Sequence, residues 1–271
     1  MHRTAEKPAA PPLLGPDDPP PFERVHPDGA ARAVIACDHA SNRTPKALGD
    51  LGAVAAAMER HIAYDIGAAG LARRLSALID APAVLSNYSR LVIDINRPPD
   101  DFTSIREIYD GTVIAGNRNL TPAERAQRVA RLFRPYHDAL ADMLAAKRRE
   151  TPHPAVISVH SCTDVYKGAR RPWHVGVLSN RDRRMAERVM ADLARVDSGL
   201  TIGDNKPYSG LDSFGYTIET HALPAGLPNV LFEVRQDLIR TEEGQFRFAE
   251  ILAEALRPAL ADDALFTPYR G

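Results

Sequence analysis

The chain holds 271 residues, of which 44% are apolar and 25% charged, the make-up of an ordinary water-soluble globular protein. Its formal net charge of −1 gives no electrostatic reason to expect nucleic acid or an anionic membrane as a partner. No apolar run is long enough to span a bilayer and no charged-then-apolar leader opens the chain. Two cysteines are too few for a disulfide scaffold, so a cytoplasmic protein is expected.

Residues 1–22 are rich in proline and alanine and read as a disordered or extended tail, with residues 23–271 as a single domain. Ala33–Cys37 is the first strand, and it runs directly into Asp38-His39-Ala40-Ser41-Asn42, a series of turn formers. Val54–Ala63 is expected to be helical. Asp65 then precedes a second helix whose Ile66, Leu71, Leu75 and Leu78 recur at helical spacing, so Asp65 reads either as its N-cap or as a site residue. Ala83–Leu85 and Leu91–Ile95 have the look of short strands, the second ending in Asn96-Arg97-Pro98-Pro99. Residues 100–120 have no period and suit a lid or binding loop.

Thr121-Pro122-Ala123-Glu124 is a capping box with proline at the first helical position, and it opens the longest predicted helix. His137 on that helix reads as a buried structural histidine. The apolar run from Val156 ends in His160-Ser161, the pattern of a buried strand whose carboxyl end meets a crevice. Trp173–Leu178 reads as a strand, Arg181–Leu193 as a helix, Tyr216–Glu219 as a possible strand, Asn229–Arg235 as the last strand and Glu243–Leu256 as the last helix. This alternation predicts an α/β three-layer sandwich, a mixed central sheet with helices on both faces.

Neutral imidazole is the commonest protein ligand for zinc, and a catalytic zinc keeps three protein ligands and an open position. His39 and His160, at two strand ends, supply two candidate ligands. Asn42, three residues after His39, is one candidate for the third, with Asp38 and Asp65 as competitors. Cys37 and Cys162, each near one of these histidines, read either as ligands or as small buried hydrophobes. Glu233 follows an apolar run on a buried strand. It reads either as the ion-pair partner of Arg235 or as a general base for metal-assisted hydrolysis. Arg97, beside the rigid Pro98, offers a two-pronged contact to a substrate carboxylate, or pairs with Asp94 or Asp100. The expected partner is a small anionic substrate.

The segments CDHASNRTP, RHIAYDIGA, YSRLVIDINRPPD, ISVHS, RPWHVGVLSNRD, GDNKPYSG and LPNVLFEVRQDL resemble those of the N-formylglutamate amidohydrolase family, over about Ala33 to Ile239. That family is in turn similar to the zinc carboxypeptidases, whose early His-x-x-Glu, Asn-Arg pair, strand-ending His-Ser and late Phe-Glu-x-Arg match His39 to Asn42, Asn96-Arg97, His160-Ser161 and Phe232 to Arg235 here. Asn42 stands where the carboxypeptidases have glutamate. The resemblance implies a phosphorylase/hydrolase-like (zinc-carboxypeptidase-like) form of the three-layer fold. It also implies a divalent metal, Zn2+ for preference, on His39, His160 and Asn42 or Asp65, and proton transfer by Glu233. Asn96 and Arg97, with Arg90 or Arg235, would bind the substrate, and N-formyl-L-glutamate would be cleaved to formate and L-glutamate. The alternatives are a carboxypeptidase-like or other deacylase acting on a different N-acyl amino acid or on a peptidoglycan fragment, and a metal-free binding protein on the same fold.

Overall fold

Seven strands hydrogen-bond into one mixed sheet: β1 (Phe22–Val25), β2 (Ala33–Cys37), β3 (Ala83–Ser86), β4 (Ala155–Cys162), β5 (Val175–Leu178), β6 (Ile202–Asp204) and β7 (Asn229–Arg235). Their spatial order is β1-β3-β2-β4-β7-β5-β6. The structure is a computed structural model that describes residues 12–53, 55–211 and 215–271. Strands β3, β2, β4 and β7 run parallel, whereas β1 is antiparallel to β3 and β5 antiparallel to β7. The central strands β2, β4 and β7 are buried along their whole length, as strands covered on both faces must be.

Helices α1 (Ala68–Ile79), α3 (Arg184–Val196) and α5 (Glu242–Ala261) cover one face. Ile35, Ile157, Val159, Phe232 and Val234 of the sheet pack there against Leu71, Val189 and Leu252. Helix α2 (Arg134–Arg148), the short α4 (Tyr216–His221) and the 50–120 region cover the other, around Val34, Ala36, Val156 and Leu231. The sandwich with helices on both faces of a mixed sheet is therefore present as the alternation predicts. Among the described residues no helix is long and apolar enough to cross a membrane.

Thr121 and Glu124 form the expected reciprocal capping box at the start of the helix Pro122–Arg128. That helix continues into α2 through a π turn at Val129–Phe133. Pro135 explains the widened turn, because it has no N–H to donate to the carbonyl one turn back.

Four expectations need correction. Of the proposed tail, residues 1–11 lie outside the described residues. From Pro12 onward the chain packs on the domain: Leu13 is buried, Tyr88 donates to the Pro19 carbonyl at 2.7 Å, and Phe22 opens a sheet strand. Helix is confined to Ala55–Met58 within the 54–63 stretch, where residue 54 is not described. Tyr216–Glu219 is the start of α4 and not a strand, with Ile218 buried in the second core.

Leu91–Ile95 is the most instructive of the four. It is as buried as a strand but joins no sheet. Its backbone groups are satisfied by side chains and turns. Asn117 donates to the Leu91 carbonyl at 2.8 Å, Arg128 to the Val92 carbonyl at 2.7 Å, and His137 contacts the Ile95 carbonyl at 2.9 Å. The backbone N–H of Asp94 donates to the Ser104 carbonyl at 2.7 Å.

Candidate active site and metal centre

Three strands carry the same local pattern on the face toward the second core. Val34 and Ala36 are followed two residues on by Asp38, Val156 and Ser158 by His160, and Leu231 by Glu233. Successive side chains of a strand alternate faces, so each series replaces its last apolar position with a chemical one at the carboxyl end. The parallel register places Glu233 beside His160 on neighbouring strands. His39 lies one residue beyond Asp38, where β2 has ended and its ring can turn into the same crevice.

Asp65 enters from the loop before α1. It does not cap that helix with its side chain: the N-cap is Gly67, at a φ of 81°. A Cβ on Gly67 would lie 2.1 Å from the Ile239 carbonyl oxygen, so both the left-handed turn and the close approach require glycine there. This tight turn swings the Asp65 carboxylate onto His160, with Nδ1 to Oδ2 at 2.7 Å, while His39 Nδ1 lies 3.4 Å from the same oxygen. Ligand atoms of His39, Asp65 and His160, all buried, lie within 4.8 Å of one another.

Each imidazole is backed on its other nitrogen by a second carboxylate. His39 Nε2 meets Asp94 at 2.7 Å, and His160 Nε2 meets Asp38 at 3.1 Å. Asp38 is itself held by the Tyr136 hydroxyl at 2.8 Å and the Thr217 hydroxyl at 2.7 Å. Arg90 spans Asp65 and Asp94, both at 3.2 Å. Burial alone would raise the carboxyl pKa values. Instead the neighbouring imidazoles and Arg90 outweigh it: Asp38 is drawn down to about 2, and Asp65 and Asp94 are pulled well below the usual carboxylate range. The imidazoles move the other way. Burial depresses both, and Arg90 depresses His39 further, yet the surrounding carboxylates leave both above the ordinary histidine value.

The site thus carries three buried carboxylates against one buried guanidinium, an excess of two negative charges. Such an excess demands either two imidazolium ions or a divalent cation with neutral imidazoles. The donor atoms fit the cation. His39 Nδ1 is a buried nitrogen without a hydrogen-bond partner among the described residues, and a two-histidine, one-carboxylate set leaves zinc an open position. With a cation bound, the carboxylate behind each imidazole would keep the ring proton on the outer nitrogen and leave the inward one free to ligate.

Glu233 lines the same cavity of about 170 Å3 with Arg97, Asn96, Tyr109 and Tyr208. Its Oε2 is buried without a hydrogen-bond partner among the described residues, and burial, opposed by His160, pushes its carboxyl up to about 7. It has no ion pair with Arg235, whose guanidinium grips Asp237 at 2.8 Å and donates to the Arg171 carbonyl at 3.0 Å. Arg235 therefore braces a turn and does not face the pocket.

Arg90 lines the pocket but is committed to Asp65 and Asp94, which leaves Arg97 as the inner cation without a hydrogen bond from its side chain among the described residues. Asn96 accepts from the Thr217 backbone at 3.0 Å. Asn42 is the expected ligand that the structure does not bring to the group. Its amide donates to the Met58 carbonyl at 3.0 Å and to Glu59 at 3.2 Å, and Asp65 stands beside the histidines instead. Cys37 sits in the apolar core, and burial pushes the Cys162 thiol up to about 12, so both behave as small hydrophobes.

Sequence reading missed Asp94 as a histidine partner, although a lone charge inside LVIDI was a visible signal. Tyr109, Tyr208 and Thr217 come from loop and helix segments whose placement depends on distant contacts, and their local sequence carries no signal.

A family model for N-formylglutamate amidohydrolase matches residues 31–240. N-formylglutamate deformylases of Pseudomonas aeruginosa and Pseudomonas putida are 24% and 26% identical to this chain. The matches cover 68% and 67% of it, and 74% and 73% of those proteins. The crystal structure of a gene product of Agrobacterium tumefaciens superposes with a TM-score of 0.85 at 33% identity, covering 91% of this chain and 99% of that one. An N-formylglutamate amidohydrolase from Ralstonia eutropha gives 0.71 at 20% identity, over 90% and 98% of the two chains, and so shares the fold. With its model matched across most of the chain, the protein belongs to the N-formylglutamate amidohydrolase family.

Proposed function

We propose that this chain is a metal-dependent amidohydrolase that cleaves a small N-acyl amino acid, with N-formyl-L-glutamate giving formate and L-glutamate. The observation that carries the reading is the convergence of His39, Asp65 and His160 beside the unpartnered oxygen of Glu233. Family membership and the activity named for the two Pseudomonas relatives support the substrate.

His39, Asp65 and His160 would hold the metal. Bound there, a divalent cation such as zinc supplies a Lewis acid that polarises an acyl oxygen and lowers the pKa of water. Glu233 receives a proton from the attacking water and returns it to the amine nitrogen as the C–N bond breaks. The water oxygen ends on the formyl carbon, and formate and a free amine leave. A carboxyl held near 7 suits a group that must both take and give this proton near neutral pH. Arg97 holds a substrate carboxylate, and its rigid seat before Pro98 orients the acyl group toward Glu233. Asp38 and Asp94 keep the two imidazoles in one tautomer and one orientation.

The test is metal analysis of protein purified without chelator, together with turnover of N-formyl-, N-acetyl- and N-succinyl-L-glutamate. One divalent ion per chain and a preference for the formyl substrate are expected. Full turnover in metal-stripped protein, or no turnover of any of the three by metal-loaded protein, would overturn the reading.

A further inference from the structure

The inner cavity is small. Its volume of about 170 Å3 falls below the several hundred cubic ångströms of most ligand pockets. Next to it lies a second cavity of about 830 Å3, and Tyr109 and Tyr208 line both, so the two are neighbours that meet at these two rings. The outer cavity is walled by two small hairpins, Ile108–Tyr109 with Thr112–Val113 and Val165–Tyr166 with Ala169–Arg170.

Its lining is cationic. Arg106, Lys167, Arg170 and Arg171 face a single carboxylate, Asp110, which Arg60 already binds. Arg171 serves as a wall: it lies over the rings of Tyr166 and Tyr208 at 5.2 and 5.0 Å, and its donors go to Thr163 and Tyr208. The others are available. Arg106 stacks on Tyr109 at 4.7 Å, and its Nε is a buried donor with no acceptor among the described residues. Lys167 is exposed above Tyr166, and Arg170 is exposed with only a long contact of 3.4 Å to Asp237. Three cations without a close acidic partner, lining one cleft, favour an anion there. Inside, Arg97 is the cation whose side chain is not already committed, so a substrate with several carboxylates finds its further counter-charges only by reaching outward.

Resting on the function proposed above, we propose that the inner pocket is one end of a longer groove. Its substrate would be an N-acylated acidic residue extended through its carboxyl side into a short acidic peptide, with distal carboxylates on Arg106, Lys167 and Arg170. The chemistry is unchanged: one water is consumed, the acyl C–N bond breaks, and the peptide leaves with a free amino terminus.

The experiment compares kcat/KM of the metal-loaded enzyme for N-formyl-L-glutamate, N-formyl-Glu-Glu-Glu and N-formyl-Glu-Lys-Lys. The acidic tripeptide is expected to exceed the single residue by about tenfold or more. That advantage should shrink with added salt, because exposed charges make the contact, and the lysine-ended peptide should have none. In K167E/R170E the ratio of tripeptide to single residue should fall to near one, and R106Q should lower the same ratio in part. A tripeptide no better than N-formyl-L-glutamate in the unaltered enzyme would overturn the groove and leave the small-substrate activity standing. An advantage that survives K167E/R170E would also overturn it. Turnover of the tripeptide without that of N-formyl-L-glutamate would support the groove and remove the smaller substrate. Failure of all three substrates overturns both readings.

Discussion

Two pairs of histidines lie close together on the same side of the sheet, and they are electrostatic opposites. His39 and His160 meet at 5.0 Å between ring centres with a carboxylate on every side, and both imidazoles stand above the usual pKa. His137 and His221 stack at 5.2 Å, with His137 Nδ1 and His221 Nε2 at 3.0 Å. His137 donates its Nε2–H to the Ile95 carbonyl, so its Nδ1 accepts from His221, and both rings are neutral. Burial lowers both of these, and the neighbouring His137 helps bring His221 to about 4. Residue type is shared, and three of the four rings are buried, with His221 half-buried. The carboxylates distinguish a pair whose surroundings favour a cation from a pair that braces a helix against a loop.

Truncation should show the largest contrast. His39→Ala, His160→Ala and Asp65→Ala are each expected to abolish stoichiometric metal, with activity down on the order of 10³-fold or more, the loss of several kcal/mol of Lewis-acid stabilisation. His137→Gln should retain the metal and activity within about tenfold. Metal content by elemental analysis and steady-state rates check both. Retention of full metal by any of the first three would erase the distinction between the pairs.

Glu233→Gln addresses what else stands beside the first pair. Metal content should stay at one ion per chain while kcat falls on the order of 10²–10⁴-fold, the contribution of a positioned acid–base group. A fall of less than about tenfold would make Glu233 a structural neighbour only.

A smaller and more selective loss is expected at Arg97. Arg97→Ala should cost about 2–5 kcal/mol in kcat/KM, and lysine should not restore it, because an ammonium cannot copy the two-pronged contact. Replacing the side-chain carboxylate of the substrate by an amide should cancel most of the difference between variant and parent. Equal losses for acid and amide would move Arg97 out of the substrate site.

The smallest effect concerns pH. His221 is held below the unfolded histidine value, so the unfolded chain binds the extra proton first. Its contribution to stability is complete above about pH 6.5 and is lost as pH falls toward about 4. With discount for its partial exposure this is on the order of 1 kcal/mol. His221→Gln should flatten that part of the stability-versus-pH curve in urea titrations. In metal-free protein the site pair has the opposite sign: its raised pKa values contribute stability at low pH that disappears as pH rises through them. Parallel slopes for the two pairs would refute the contrast.

The sequence made His39, His160 and Glu233 legible because each ends a run whose alternate positions are apolar, a signal contained in five or six consecutive residues. Asp65 was ambiguous because an aspartate before a helix is also the commonest cap. Only the turn at Gly67 against Ile239 shows that its side chain turns elsewhere. Asn42 failed as a ligand for the mirror reason: the loop after β2 turns its amide to Met58 and Glu59, which no spacing rule encodes. Leu91–Ile95 misled because burial looks the same whether backbone groups are paired with a strand or with side chains.

The clamps on that segment have a consequence for how the enzyme can change. His160 and Glu233 are anchored to strands whose register cannot slip without turning every side chain to the opposite face. Asp94, Asn96 and Arg97 instead hang on a ribbon fastened at its carbonyls by Asn117, Arg128 and His137, residues of the following loop and helix. Substitution at those three fasteners would shift Arg97 together with Asp94, the partner of His39, while His160 and Glu233 stay in place. A change that re-aims Arg97 is therefore felt at His39 through Asp94, whereas His160 and Glu233, held by the sheet, are insulated from it.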